Sequence, residues 1–290
     1  MELSRNQMKT QTDKAFIFRA LHERPGAFII PNPWDIGSAR ILALLGFEAL
    51  ATTSAGFAFS IGQRDNTVGR DKMLAHVAEI ASATDLPVSA DLENGFGDDP
   101  ETVAETISLA AAAGLAGGSI EDSTGRSDDP IYELEHAVDR IRAAVNVVQS
   151  LPVPFMLTAR CENFLLGRPD LANTIKRLQA YQEAGANVLY APGLTRKEDI
   201  AAVVSSVDRP VNVLGGLAGV KLSVADTSEL GVKRVSVGGG LARAALGGFL
   251  RAARELRDHG TFAYAEETVS FREISEMFRH ISLRRFGLRQ

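Results

Sequence analysis

Cys161 is the single cysteine in 290 residues. That excludes an intrachain disulfide framework and a structural zinc site built on paired thiols. The five histidines, His22, His76, His136, His259 and His280, fall in helical stretches or near the termini. Neither a histidine metal cage nor a Ser-His-Asp triad is therefore expected. No run of 18 apolar residues occurs, so no transmembrane helix and no membrane partner are expected. Residues 1–16 lack the apolar stretch of a signal peptide. The net charge is -5 and no basic stripe is present, which argues against a nucleic-acid partner. The basic cluster at 279–289 reads as the charged face of a terminal helix. What remains is 45% hydrophobic and 23% charged, an ordinary globular composition with enough apolar residues for one large core. A soluble, cytoplasmic protein is the expectation.

The chain has a rhythm. A helical pattern ends at a glycine and a short apolar run follows, at Gly46, Gly114, Gly185 and Gly231. Glycine suits the left-handed residue just past a helix, and short continuous apolar runs suit strands buried on both faces. Further strands begin after proline or glycine, at 27–31, 87–91, 154–160 and 210–214. Helical patterns fill the gaps at 35–45, 70–84, 100–113, 131–150, 169–184, 196–206, 225–230 and 241–259. Strict alternation implies a parallel sheet, and this many units in this length fit a (β/α)8 TIM barrel better than an open sheet. Residues 1–261 are expected to form the barrel with a leading helix. Residues 262–290 are expected to form a C-terminal helical extension, whose apolar positions, among them Phe262, Phe271, Phe278, Ile281 and Leu283, need a partner surface.

Active sites of such barrels form at the C-terminal ends of the strands. The polar residues expected there are Asn32, Trp34 and Asp35 after the first strand, and Thr53, Ser54 and then Asp65 after the second. Asp91 and Glu93 end the third, Glu121 and Asp122 the fourth, Arg160 and Glu162 the fifth, and Asn212 lies in the seventh. Two acidic pairs on neighbouring strands crowd carboxylates at one mouth, where hard oxygen ligands suit Mg²⁺ or Mn²⁺. Asp35 reads equally as a helix N-cap, and Arg160 equally as a structural partner of an acid. Cys161 turns away from the barrel if Arg160 points in, and reads as structural. The runs Val237-Gly-Gly-Gly240 and Leu214-Gly-Gly216 read either as backbone phosphate cradles or as sites of close packing.

Four segments carry a resemblance. Pro-Asn-Pro-Trp-Asp-Ile-Gly-Ser-Ala-Arg40, Ala-Asp-Leu-Glu-Asn-Gly-Phe-Gly97, Ser-Ile-Glu-Asp122 and Thr-Ala-Arg160 resemble, in this order and spacing, the isocitrate lyase and phosphoenolpyruvate mutase superfamily. The resemblance implies a barrel whose last helix is exchanged between subunits of a homotetramer, a dimer of dimers. It implies Mg²⁺ at Asp91, Glu93 and Glu121, with Asp65 completing the shell through water. It also implies a small 2-oxo carboxylate held by the backbone and hydroxyls of Thr53, Ser54 and Ala55, with Arg160 steadying the oxygen on which charge develops.

One departure bears on the reaction. The superfamily's lyases carry a Lys-[Lys/Arg]-Cys-Gly-His loop after the Glu-Asp pair, and its phosphonate-cleaving members a loop with asparagine. Here the segment is Ser123-Thr-Gly-Arg-Ser-Asp-Asp-Pro130, without cysteine, histidine, lysine or asparagine. Arg126, Asp128 and Asp129 stand there instead. The resulting expectation is a Mg²⁺-dependent carbon–carbon lyase or decarboxylase acting on a small 2-oxo or 2-hydroxy di- or tricarboxylate through a pyruvate-like enolate. The alternatives are carbon–phosphorus chemistry on a phosphonopyruvate-type substrate and a barrel that only binds 2-oxo acids.

Overall fold

Short β-branched and apolar runs give this chain its strands, and several of the helices start at side-chain caps or, in one case, a proline. The computed structural model describes residues 9–219 and 221–286, with side chains to residue 279. Helix α1 (Gln11–Glu23) comes first. Then follow β1 (Phe28–Ile30), α2 (Ile36–Leu44), β2 (Leu50–Ala51), α3 (Ser54–Ser60), α4 (Arg70–Ala83), β3 (Val88–Asp91) and α5 (Pro100–Ala112). The chain continues with β4 (Gly117–Glu121), α6 (Leu134–Ser150), β5 (Met156–Arg160), α7 (Leu171–Glu183), β6 (Val188–Tyr190) and α8 (Lys197–Ser205). It ends with β7 (Val211–Leu214), α9 (Val224–Glu229), β8 (Arg234–Ser236), α10 (Gly240–His259), a 3₁₀ turn (Ala263–Glu267) and α11 (Phe271–Phe286).

All strand pairs are parallel, in one 8-stranded sheet ordered β1-β8-β7-β6-β5-β4-β3-β2. A backbone bond of 3.0 Å from the Ala51 N–H to the Pro31 carbonyl links its two ends. The fold is thus a nearly closed (β/α)8 TIM barrel, as the alternation of the sequence implied. Strand alternation sorts the side chains. Leu157, Ala159, Val213 and Val235 join the large apolar layer between sheet and helices. Phe28, Ile30, Met156 and Val188 form a second apolar cluster, which Phe18 and Leu21 of α1 complete. Lys14 fixes α1 further: its buried Nζ donates to the carbonyls of Ala81 (2.9 Å) and Thr84 (2.6 Å) at the end of α4, where the helix dipole favours a cation.

Two features depart from the sequence expectations. A helix, α3, forms where a strand end and a loop were expected, because Thr53 caps it through Oγ1, which accepts the Gly56 N–H at 3.2 Å. The uncovered apolar face also begins earlier than residue 262. Ala242 alone is buried along α10, while Leu246, Phe249, Leu250 and Leu256 are exposed. Helix α11 turns back, and its Glu273, Glu276 and Met277 face Ile41, Leu44 and Leu45 on and after α2. The side chains of the 280–289 part of the basic cluster, and of Ile281 and Leu283, lie outside the described residues.

Candidate active site

Arg160 ends β5 and organises the C-terminal mouth of the barrel. Its Nη1 donates to Asp91 Oδ1 at 3.2 Å, its Nη2 pairs with Glu121 Oε2 at 3.1 Å, and its Nε donates to Glu162 Oε1 at 2.7 Å. Burial opposes the charge of its guanidinium, yet Glu162, Glu121 and Asp91 hold its pKa well above the ordinary value. Burial pushes the Glu121 carboxyl up, against the pull of Arg160, and does the same to Glu162. The side chain of Tyr190 stands below, with the guanidinium 5.3 Å from its ring centre.

The Asp91 carboxylate is held from both sides. Ser54 gives its Oδ2 two bonds, from the backbone N–H at 3.1 Å and from the hydroxyl at 2.9 Å, and the Asp91 N–H donates to Thr52 Oγ1 at 3.0 Å. The backbone then leaves the strand through a tight turn. Glu93 has φ 51°, Gly95 φ 83° and Phe96 φ 64°, a left-handed region that side chains other than glycine rarely enter. Arg140, 1% exposed on α6, holds this turn open: its Nη2 donates to the carbonyls of Asn94 and Gly97, the latter at 2.9 Å, while its guanidinium lies 4.0 Å from the Tyr132 ring centre. Strained residues of this kind gather at functional sites.

The turn buries Glu93, whose Oε1 has no hydrogen-bond partner. Burial, then Asp91 and Asp65, pushes its pKa up to about 8. Asp65 lies in the exposed turn after α3, with its carboxyl tucked toward the mouth. Partial burial and Asp91 raise its pKa, and Ser54 and the Asn66 N–H (3.1 Å) work against the rise. Strands β3, β4 and β5 and the turn after α3 therefore bring Asp65, Asp91, Glu93, Glu121 and Arg160 together.

Other expected residues are placed differently. Asp35 is exposed and caps α2, accepting the Ser38 N–H at 2.6 Å in a reciprocal capping box. Half-buried Trp34 packs close to Gly56, where a Cβ would come within 2.9 Å of the Trp34 Cβ. Ser54 spends both donors on Asp91, which leaves Thr53 as the cap of α3 and Ala55 at its first turn. Asn212 is buried inside the barrel between Ser236 and Arg234. The glycine run after β8 is no open phosphate cradle: the N–H groups of Val237 and Gly238 both donate to Asn32 Oδ1 at 2.9 Å. The Gly215 N–H goes to the Ser236 carbonyl at 2.7 Å. Cys161 is buried among apolar residues, which pushes its thiol pKa up and suits a structural role.

The metal expectation needs a correction in geometry. Among the described residues no three Asp, Glu, His or Cys side chains converge as a ready cage. The Arg160 guanidinium lies between Asp91 and Glu121 and keeps them apart. The donor set still fits a hydrated cation, because Mg²⁺ keeps several waters and takes one or two carboxylates, and the orphaned Glu93 Oε1 beside Asp91 is a donor without a partner.

The segment after Glu121 closes on itself. Ser123 bridges to Ile131, the Thr124 N–H bonds the Pro130 carbonyl at 3.0 Å, and Arg126 pairs with Asp98 at 2.8 Å. It brings no thiol or imidazole to the mouth.

Comparisons with known proteins agree with this fold and show the family. The profile of the phosphoenolpyruvate phosphomutase family matches residues 18–257. The chain belongs to this family. It is an enzyme of the lyase and mutase type found in the isocitrate lyase/phosphoenolpyruvate mutase superfamily. It is 63% identical to a Burkholderia cenocepacia J2315 protein described as a lyase/mutase, with TM-score 0.91 over 93% of this chain and 97% of that one. It is 27% identical to the solved structure of a 2,3-dimethylmalate lyase, TM-score 0.83, covering 97% and 98% of the two chains. Among curated relatives it is 30% identical to 2-methylisocitrate lyase of Escherichia coli K12 over 67% of each chain. It is 27% identical to oxaloacetate decarboxylase of Pseudomonas putida GB-1 over 69% of each.

Sequence reasoning named Asp122 but missed Arg140, Arg177 and Tyr181, which support this cluster. Asp122 turns away from the mouth: its Oδ1 accepts the Glu162 N–H at 2.8 Å, and its Oδ2 accepts from Tyr181 OH at 2.6 Å and Arg177 Nη1 at 3.1 Å. Arg140, Arg177 and Tyr181 sit on helices whose patterns read as ordinary amphipathic faces. A basic residue at a core-facing helix position was the only signal available for the two arginines.

Proposed function

We propose that this enzyme is a Mg²⁺- or Mn²⁺-dependent lyase or decarboxylase that acts on a small 2-oxo or 2-hydroxy di- or tricarboxylate through a pyruvate-like enolate. The observation that carries the reading is Arg160, charged and held among Asp91, Glu121 and Glu162, beside the Glu93 carboxyl, whose Oε1 has no partner among the described residues. Asp91, Glu93 and Glu121 would hold the metal, with Asp65 bonding its water shell. Once bound, it would supply a Lewis acid for the oxygens of a 2-oxo acid.

The protein's own groups do the rest. A guanidinium has five N–H donors in a rigid fork, and the three carboxylate partners leave donors free for an oxygen that gains charge. Glu162 and Asp91 fix the fork before substrate arrives, so little reorganisation is needed as the bond beside the 2-oxo group breaks. The Thr53-Ser54-Ala55 turn would receive the substrate carboxylate through Ala55 N–H and Thr53, since Ser54 is engaged with Asp91. The closed 123–131 segment offers no thiol or imidazole, which favours decarboxylation of a 2-oxo diacid over cleavage steps that need a loop thiol. Trp34 and Asn212 border the site, whereas Asp35 is committed to capping.

The test is pyruvate release from oxaloacetate, substituted malates, isocitrate and methylisocitrate, with Mg²⁺ and with EDTA. Release above the metal-only rate, lost with EDTA and in Asp91→Ala, is expected. Unchanged turnover by Asp91→Ala would end this reading. Phosphonopyruvate in the same panel, followed by ³¹P NMR, tests the carbon–phosphorus alternative.

We further infer a cytoplasmic homo-oligomer, a dimer of dimers, with the C-terminal helices exchanged. The uncovered apolar face of α10 supports this, as does an apolar cavity of about 230 Å³ on the outer face of β7 and β8, lined by Ile29, Val213, Val235, Leu194, Ile200 and Leu222. No described helix is long and apolar enough to cross a membrane.

A further inference from the structure

Inside the barrel, below Arg160, lies a second buried arginine in a different electrical setting. Arg234 begins β8 and is 4% exposed. Strand alternation turns Arg234 and Ser236 inward, while Val235 joins the outer apolar layer. Its partners among the described residues are neutral. Nε donates to Asn212 Oδ1 at 2.8 Å, Nη2 donates to Thr158 Oγ1 at 3.0 Å, and Nη1 stands 3.5 Å from His22 Nε2.

His22 cannot supply the missing charge. Its Nδ1 lies 2.8 Å from the Phe18 carbonyl, so Nδ1 carries the proton and Nε2 faces Arg234 as a neutral acceptor. Burial and the neighbouring guanidinium together push the His22 pKa down to about 3. Arg160 is paired with three carboxylates and Arg177 with Asp122, but among the described residues no carboxylate pairs with Arg234. A buried charge is costly unless it is paired, and the guanidinium stays protonated.

The same arginine borders a space. A cavity of about 50 Å³ runs inside the barrel between Asp91 and Arg160 at the mouth and Arg234 below, with Asn212, Tyr190 and Ser236 on its wall. Most of its lining residues carry polar groups, and it is large enough to hold a few water-sized groups. Two of the five guanidinium donors remain once Asn212, Thr158 and His22 are served, and Asn212 Nδ2 already fixes Ser236 Oγ at 3.0 Å on the same wall. A small space inside the barrel with an unbalanced cation at one end suits negative charge.

We propose that Arg234 forms an anion seat inside the barrel, distinct from the Arg160 cluster, that takes one small anion: a halide-sized ion or a single carboxylate group. The carboxylate has two sources, a free ion or one end of a diacid substrate, and both present the same chemistry to the guanidinium. The seat does not depend on the reaction assigned to the mouth.

The test starts with the full-length protein in a buffer whose only anion is too large for the cavity. Sodium bromide or sodium formate is then titrated at constant ionic strength while the melting temperature is followed. A saturable rise is expected in the wild type, with half-saturation weakened roughly tenfold or more in Arg234→Met, as loss of a charge-assisted bond implies. Asn212→Ala, which keeps the charge and removes only the amide from the wall, guards against a misfolded methionine variant and should show a smaller weakening. Bromide in wild-type crystals, located by anomalous scattering, should lie within hydrogen-bond distance of Arg234. Formate that also raises KM for a diacid substrate identifies the seat as part of the substrate site. A saturable rise without competition identifies a resident free ion. The proposal is overturned if no bromide sits at Arg234 and the salt response is unsaturable and equal in wild type and variants.

Discussion

Asp122 follows Glu121 in sequence but faces away from the mouth, and that reversal decides its work. Its carboxylate is the counter-charge of Arg177 and the acceptor of the Glu162 N–H, so it holds the residue that in turn aligns Arg160. In Asp122→Asn the amide oxygen still accepts the Glu162 N–H, but Arg177 is left buried without its ion. The expected loss is about 3–5 kcal/mol in urea unfolding. Adding Arg177→Met should recover part of it, because the stranded charge goes too. A double variant less stable than Asp122→Asn would show that the stranded charge is not the cause. His76 gives a second residue-scale prediction. It is buried and stacked 3.6 Å from Phe57, its Nε2 has no partner among the described residues, and burial pushes its pKa down to about 4. The unfolded chain, with a histidine near the ordinary value of about 6.5, therefore takes up the proton first as pH falls. The contribution of a neutral His76 is full above that value and drains away as pH drops toward 4, at up to about 1.4 kcal/mol per pH unit. Glu93 acts in the opposite sense: its folded value of about 8 lies above the ordinary glutamate value, so its contribution is lost as pH rises through 8. The histidine effect is thus read as a difference. The stability of wild type minus that of His76→Leu should shrink between pH 6.5 and 5, and a constant difference would mean that His76 is not held neutral.

Among the elements, α1 matters most to the barrel floor. Phe18 is fully buried, and a Cβ on Gly117 would come within 2.9 Å of its ring and 2.6 Å of the Met156 carbonyl. The glycine thus lets an aromatic ring close the narrow end of the barrel. Phe18→Ala should cost about 3–5 kcal/mol, the usual range for an emptied aromatic site, measured by chemical denaturation. A loss under about 1 kcal/mol would show that α1 is merely draped over the floor. The strands and most helices were legible in the sequence because glycine, proline and caps mark their ends locally. Asp91, Glu93, Glu121 and Arg160 were legible too, since strand ends in a barrel converge whatever lies between them. Helix α3 was not, because its start rests on one threonine inside a run that reads as strand. Arg140, Arg177 and Arg234 were not, because each is explained by partners far away in sequence: the carbonyls of 94 and 97, Asp122, and a cavity that exists only once the barrel brings β3, β5, β7 and β8 round one interior.

For the whole molecule, the helix after β8 poses the largest physical problem. In a barrel that covers its own strands, that helix packs over the last strands and the first. Here α10 instead leaves Leu246, Phe249 and Leu250 exposed, with Phe249 at 66%, while the outer faces of β7 and β8 retain an apolar cavity. An uncovered helix face and an apolar cavity on the sheet of the same chain are complementary, and a symmetric pair of subunits would satisfy both by exchange. Large exposed apolar surfaces on a soluble chain mark such contacts. Phe249→Glu places a charge in that contact and touches nothing in the active site. By light scattering the wild type should be a tetramer, and Phe249→Glu should shift it toward dimer or monomer at micromolar concentration. The smaller species should also melt earlier, since both faces return to water. A wild type that stays monomeric at all concentrations would mean that α10 folds back on its own barrel in solution, and the exchange would have to be abandoned. A variant that stays tetrameric would place the subunit contact elsewhere, and the α11 face against α2 would be the next to mutate.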